Sequence, residues 1–399
     1  MLPITRRDNP VAGPGDIVGD VMLSVSAGQL RALRLRAQLL SRPPAIPVAA
    51  VAAHLAGLQA QAAPPARLAV RARGAGHTAA DADRACDTGE VIRTWAMRGT
   101  LHMVAGRDVR WMNSLFGPVF AAKGRRRRAQ LRLDDALCER ALTALAVILA
   151  GSAPLTRAEL VSRLGAEGIR IDPRTQQPPH LLGYAAHRGL ICRGPDRPGE
   201  EPTYVLLDDW APGTPALTHD DALTELIRRY LHGYGPASRD DFAAWSGLPA
   251  AQARRALDLI ADDLVPMQAA AAQAGSAQLF TLNGDSREAP GDTPPRLLGH
   301  FDPYLLGYRD RGLMLDAEYA RRIQTGGGFV RPVVLIGGRV AGTWRLTWRT
   351  AGAGRAARAT LTIEPFTALP AASADGLAAE AADISRFLGA DVTLEKVET

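Results

Sequence analysis

APLTRAELVSRLG (residues 153–165) and GPASRDDFAAWSG (residues 235–247) carry the fold of this chain, because the second repeats the first at a constant offset of 82 residues. Pro154, Arg157, Leu160 and Gly165 correspond to Pro236, Arg239, Phe242 and Gly247. A helical apolar pattern precedes each copy (134–150 and 220–232) and another follows it (about 178–188 and 249–261). Each copy then leads into a pair of strand-prone segments, LICRG with TYVLLDDW and LVPMQA with AQLFTLNG. A short helix-turn-helix buries its apolar stripe only against a third helix, and a two-stranded ribbon closes it. The pattern therefore reads as a winged-helix unit, with a generic helical α+β protein as the alternative.

The N-terminal third has the same outline. Ser26 caps a helix through about Leu40, and Ile46-Pro47 opens another toward Leu58. VIRTWAMRGTLHMV (91–104) alternates around Arg98-Gly99 as a hairpin. In the last third, 331–349 and 357–366 read as antiparallel strands, with an amphipathic helix near 375–388 to cover them. The expected class is α+β, three tandem winged-helix units with a C-terminal β-rich region. Expected bounds are a flexible leader over 1–22, units at 23–120, 134–212 and 213–290, a basic linker at 121–133 between the first two, and the β-rich region at 291–399.

A chain of 399 residues has room for several small cores, and 47% apolar with 22% charged residues is a globular balance. The net charge of +6 favours a polyanionic partner. Cys86, Cys138 and Cys192 are far apart and odd in number, which argues against a disulfide framework or a structural zinc site. Neither a membrane-length apolar run nor a signal core is present, so a cytoplasmic protein is expected.

AAKGRRRRAQLR (121–132) brings Lys123, Arg125, Arg126, Arg127 and Arg128 together without an acid, which suits a phosphate backbone or a solvated linker. LAGLQAQAAPP (55–65) sets Gln59 and Gln61 at a helix end before the helix-stopping Pro64-Pro65. In an extended stretch the two amides share one side; otherwise they are ordinary polar residues. GHFDPYLLGYRDRG (299–312) gathers His300, Asp302, Tyr304, Tyr308, Arg309, Asp310 and Arg311, either as a functional loop or as a salt-bridge network joining units. His102 stands alone on the hairpin after Thr100. A Ser–His–Asp order, a phosphate-cradling glycine loop and an HExxH helix are all missing, which leaves hydrolase, NTPase and metalloprotease classes unsupported.

MRGTLHMV (97–104), LQAQ (58–61), FDPYLLGYRDR (301–311) and GGGFVRPVVLIGGRVAGTWR (326–345) together resemble the AlkZ/YcaQ-like family of winged-helix DNA glycosylases, in order over about residues 24–390. The resemblance implies a C-shaped protein holding duplex DNA that contains alkylated bases. A monomer without cofactor is expected, and without metal, because no cysteine, histidine and carboxylate set has metal-ligand spacing. It implies hydrolysis of the glycosidic bond of N-alkylated purines, in some members with opening of interstrand crosslinks, and for the Gln-Gln branch a link to self-resistance against DNA-alkylating natural products. Gln59-Ala60-Gln61 matches the catalytic motif. Arg98, Lys123, Arg125, Arg126, Arg127, Arg128 and Arg339 become candidate DNA contacts. Thr100, His102, His300, Asp302, Tyr304 and Arg311 become candidate channel-lining residues. An alkylated purine is already cationic, so it leaves without a strong general acid. The alternative function is a winged-helix transcription regulator, which has no need of two amides beside a DNA sugar.

Overall fold

Three times along the chain the same six elements follow one another: helix, short strand, two helices and two ribbon strands. The structure, a computed structural model, describes residues 23–41, 43–211, 213, 217–270, 277–291, 293–326, 328–349 and 357–396. The expected leader over 1–22 lies outside them. The first unit comprises Val48–His54, Leu58–Gln59, Ala63–Arg71, Ala79–Asp87, Val91–Trp95 and Leu101–Ala105. The second comprises Asp135–Leu149, Leu155–Thr156, Arg157–Ala166, Gln177–His187, Ile191–Arg193 and Thr203–Leu206. The third comprises His219–Tyr234, Ala237–Ser238, Arg239–Ser246, Ala250–Asp258, Leu264–Ala269 and Leu279–Leu282. In every unit the short lead strand pairs with the last ribbon strand.

In the repeated motif, Thr156 and Ser238 end the lead strand and cap the next helix, each in a reciprocal box with Glu159 or Asp241. Such a box satisfies helix-end N–H groups that would otherwise lack partners. The ribbons of the first two units meet at Arg93 and Arg193, which joins them into one six-stranded sheet. The third unit's sheet takes its fourth strand, Leu23–Val25, from the N-terminus, parallel to Leu264–Ala269.

That strand corrects an expected boundary. Residues 23–37 fall outside the first unit, because Val25, Leu30 and Leu33 form a small core with Met267 and Leu279. The basic linker is corrected too. Residues 121–130 complete a 22-residue helix, Val109–Gln130, anchored by Trp111, Met112, Leu115, Phe116 and Phe120. Arginine, alanine and glutamine are strong helix formers, so the basic run extends the anchored helix.

One core spans the first and third units and the start of the C-terminal region, while the second unit has its own around Leu145, Leu160 and Leu181. The C-terminal sheet has five strands, Arg296–Leu298, Val333–Ile336, Arg339–Arg349, Arg358–Pro365 and Asp391–Lys396. The helix Ala374–Leu388 covers it, as expected, with Leu377 and Ile384 on Leu361 and Ile363. Among the described residues no helix is long and apolar enough to cross a membrane.

Candidate active site

Helix Val48–His54 ends because Ala56 and Gly57 turn to φ of 49° and 116°. A side chain at Gly57 would stand 2.9 Å from Met97 Cε, so glycine is required on both counts. The chain leaves this turn extended, and Leu58 and Gln59 pair with Met103 and His102 of the hairpin. Beyond the strand, Ala60 N–H donates to the Leu101 carbonyl at 2.8 Å. The Leu101 N–H in turn donates to Gln61 Oε1 at 3.4 Å. Residues directly opposite in a sheet share a face. Gln59 and His102 therefore point the same way, and Gln61 follows two residues on. Ala60 points into the core, Gln59 is half-buried and Gln61 is exposed.

The expected helix through Leu58 stops at His54, and Pro64-Pro65 begin a helix instead of ending one. Proline suits a first helical turn, whose N–H groups have no intrahelical partner. Here the cap position is Ala62, with no side-chain hydrogen bond. The missing proline donors lessen the need for one.

Arg98, a candidate DNA contact, is tied down within the protein. Its Nη2 donates to Gln59 Oε1 at 2.9 Å, and its Nη1 donates to the carbonyl of Trp245 in the third unit. Its own φ is 57°, and a side chain at Gly247 would stand 2.9 Å from its Cα. The hairpin tip is thus clamped between the lead strand and the third unit. Burial, with neighbouring Arg311 adding to it, lowers the Arg98 pKa.

His102 is buried, and its Nδ1 lies 2.9 Å from the Thr100 carbonyl. Burial and then the charge of Arg98 push its pKa down to about 3, so the imidazole is neutral near pH 7. Thr100 Oγ1 is spent on the Met97 carbonyl. Gln59, Gln61, Arg98, Thr100 and His102 thus form one site that contains no carboxylate and no protonated histidine. Among the described residues no cluster has the make-up of a metal site.

Other candidates lie elsewhere. Asp302 and Tyr304 are buried and offer no surface to a channel. Asp302 accepts from both Arg73 nitrogens at 2.7 and 2.9 Å, and Tyr304 donates to the Gly338 carbonyl. With Tyr308, which donates to the Tyr234 carbonyl, they form an internal network joining units. Its physical reason is that a buried charge needs a partner. His300 is half-buried beside the Val330 carbonyl, Phe301 and Phe329. Arg311 Nε donates to the Leu305 carbonyl. Arg339 is exposed and paired with Asp316. In the basic run Lys123 donates to the Gly247 carbonyl, Arg125 pairs with Asp135, and Arg127 reaches Gln130. Arg126 is exposed and Arg128 is buried.

Sequence reasoning missed a cleft of about 560 Å³ beside Arg98, walled in part by Trp95, Phe120, Tyr184, His180 and His187. These aromatic and imidazole side chains look like core residues at helical or strand spacing, and no signal in the chain separates them from core. The Trp245 carbonyl was equally invisible, being backbone.

Comparison with known proteins gives the chain a family. The family model described as DNA glycosylase AlkZ-like matches residues 52–387, a span that includes Gln59 and Gln61. A protein of Streptomyces sahachiroi named interstrand DNA cross-link repair glycosylase is 29% identical over 386 residues, covering 92% of this chain and 98% of its own. The solved structure of the Streptomyces sahachiroi DNA glycosylase AlkZ superposes with a TM-score of 0.77 at 26% identity, over 94% of this chain and all of its own. The chain belongs to the AlkZ-like family of DNA glycosylases.

Proposed function

We propose that Gln59 and Gln61 are the catalytic pair, and that the substrate is duplex DNA carrying a cationic N-alkylated purine such as N7-alkylguanine or N3-alkyladenine. Water adds to C1′ as the glycosidic bond breaks. The bonding electrons pass to the base and cancel its positive charge, C1′ keeps the hydroxyl, and a proton is released to solvent. The observation that carries this assignment is the pair of amides held in an extended stretch, Gln59 half-buried and Gln61 exposed, with no group among the described residues beside them able to act as a strong acid or base.

Each amide oxygen is held by one protein donor and keeps a second lone pair for water. Such preset dipoles act on the positive charge that develops at the sugar. Because the leaving base is already cationic, the lack of a general acid is no obstacle, and unmodified purines are excluded as substrates. Interstrand crosslinks fall within the proposed range, given the name of the Streptomyces sahachiroi relative, interstrand DNA cross-link repair glycosylase.

The test is single-turnover release of N7-methylguanine from duplex DNA by the parent, Gln59→Ala and Gln61→Ala. A binding titration on an abasic-analogue duplex accompanies it. Excision falls while binding stays if the assignment holds. Parental rates in both variants would remove the catalytic pair.

A further inference from the structure

Among the described residues four arginines are buried, Arg34, Arg71, Arg73 and Arg128. Arg34 faces Asp241 at 3.8 Å, Arg71 pairs with Glu380 at 2.9 Å and Arg73 with Asp302 at 2.7 Å. Arg128 alone makes no ion pair among the described residues, although it is only 5% exposed. Its guanidinium lies 4.0 Å over the Tyr184 ring, its Nη1 donates to the Ala121 carbonyl at 2.9 Å, and its Nε has no partner. A buried cation without an anion is costly, and three of its peers show how this fold meets that cost.

Arg128 lines the 560 Å³ cleft next to Arg98, and Lys123 and Arg98 line it with no carboxylate among the lining residues. Trp95, Phe120 and Tyr184 supply flat apolar walls. His187, whose Nδ1 is buried without a partner, and His180 complete the rim. Burial and then Arg128 hold the His187 pKa down to about 4, which leaves it a neutral hydrogen-bonding ring. A cleft with three cations, no anion and three aromatic rings matches a phosphate joined to a planar base.

We infer that this cleft is a subsite for one nucleotide of the DNA substrate, with its phosphate between Lys123 and Arg128 and its base unstacked from the duplex onto Trp95, Phe120 or Tyr184. The inference rests on Gln59 and Gln61 as the catalytic pair, because Arg98 forms part of the cleft and also holds Gln59. The nucleotide is therefore a neighbour of the lesion in the same complex. Arg128 stays buried and unpaired in the free protein, and the incoming phosphate supplies its missing anion.

The test is a cycle between protein and DNA, read by binding alone. Duplexes carrying an abasic analogue receive a neutral methylphosphonate at each phosphate near the lesion in turn, and are titrated against the parent, Arg128→Gln and Lys123→Ala. At one or two positions neutralisation weakens parental binding about tenfold, yet costs Arg128→Gln little more, as coupled partners require. Removing the base next to that phosphate weakens the parent about tenfold and leaves one of Trp95→Leu, Phe120→Leu and Tyr184→Leu unchanged. Additive losses at every phosphate, or no coupling at the base, overturn the proposal. A purely structural Arg128 lowers the melting temperature of Arg128→Gln but leaves the parental methylphosphonate pattern intact, which also overturns it. Arg128→Lys keeps the charge and retains the coupling. Because excision is not measured, inactive Gln59 and Gln61 variants and a failed subsite give different results.

Discussion

The lead strand of the first winged-helix unit and those of the second and third begin alike and end differently. All three pair with the last ribbon strand of their unit. In the second and third, the residue that ends the strand, Thr156 or Ser238, turns its side chain back to cap the following helix. In the first, that place belongs to Gln59, and Ala60, Gln61 and Ala62 intervene before a helix without a side-chain cap. Two prolines in its first turn remove N–H groups that the other units must satisfy. A framework that closes on itself twice is left open once, and there Gln59 and Gln61 accept from Arg98 and from the Leu101 N–H in place of capping a helix. The first unit thus differs from the other two by a withdrawn cap hydrogen bond and three added residues, and the proposed catalytic pair lies at that difference.

The comparison is sharpened most strongly by testing what holds the open unit in place. Asp302→Ala strands Arg73 as a buried charge and should cost about 3–5 kcal/mol of stability. A denaturant midpoint equal to that of the parent would show the pair to be dispensable. Next comes the site. Gln59→Ala or Gln61→Ala should each cost about 3 kcal/mol in the transition state, roughly a hundredfold in single-turnover rate. The double variant loses less than the product of the two if they hold one water. Equal losses from Thr156→Ala and Ser238→Ala would break the distinction between open and closed strands.

The pH dependence separates the open strand's neighbour His102 from an exposed histidine. Its pKa of about 3 in the fold lies below the usual 6.5, so between these values the unfolded chain binds a proton that the folded chain refuses. Its contribution is present above pH 6.5 and is lost as pH falls through that window, at up to about 1.4 kcal/mol per pH unit. Urea midpoints at pH 7 and pH 5 should differ less in His102→Phe than in the parent. Smaller still, Thr156→Ala should cost about 1 kcal/mol of stability, as loss of a helix cap does, with excision unchanged. The least change is expected from EDTA: base release measured with and without chelator should agree. Activity lost on chelation and restored by a metal ion would falsify a water held by amides alone.

The 82-residue repeat was legible because the second and third units keep their caps and spacing. The first escaped it because three added residues shift its helix, and because Pro64-Pro65, read locally, signal a helix end as readily as a start. Gln59 and Gln61 are proposed as the site through their match to a family motif, since two glutamines near a helix carry no chemistry of their own in a sequence. The hairpin at 91–104 was legible from alternation, while the charge-dense 121–130 concealed its helix behind its arginines.

By itself the sequence determined the winged-helix order and the C-terminal strands with their covering helix. These follow from local periodicity, caps and short spacing. Only the tertiary structure decided which arginines are available. Arg98 turns inward to Gln59 and Trp245, Arg339 is matched by Asp316, and Arg128 is buried without an anion among the described residues. It also moved Asp302 and Tyr304 from a candidate channel into a network joining units, and residues 23–37 from the first unit to the third. Charge and hydrogen-bond partners meet across hundreds of residues, and which of them meet is set by packing, which no local pattern encodes.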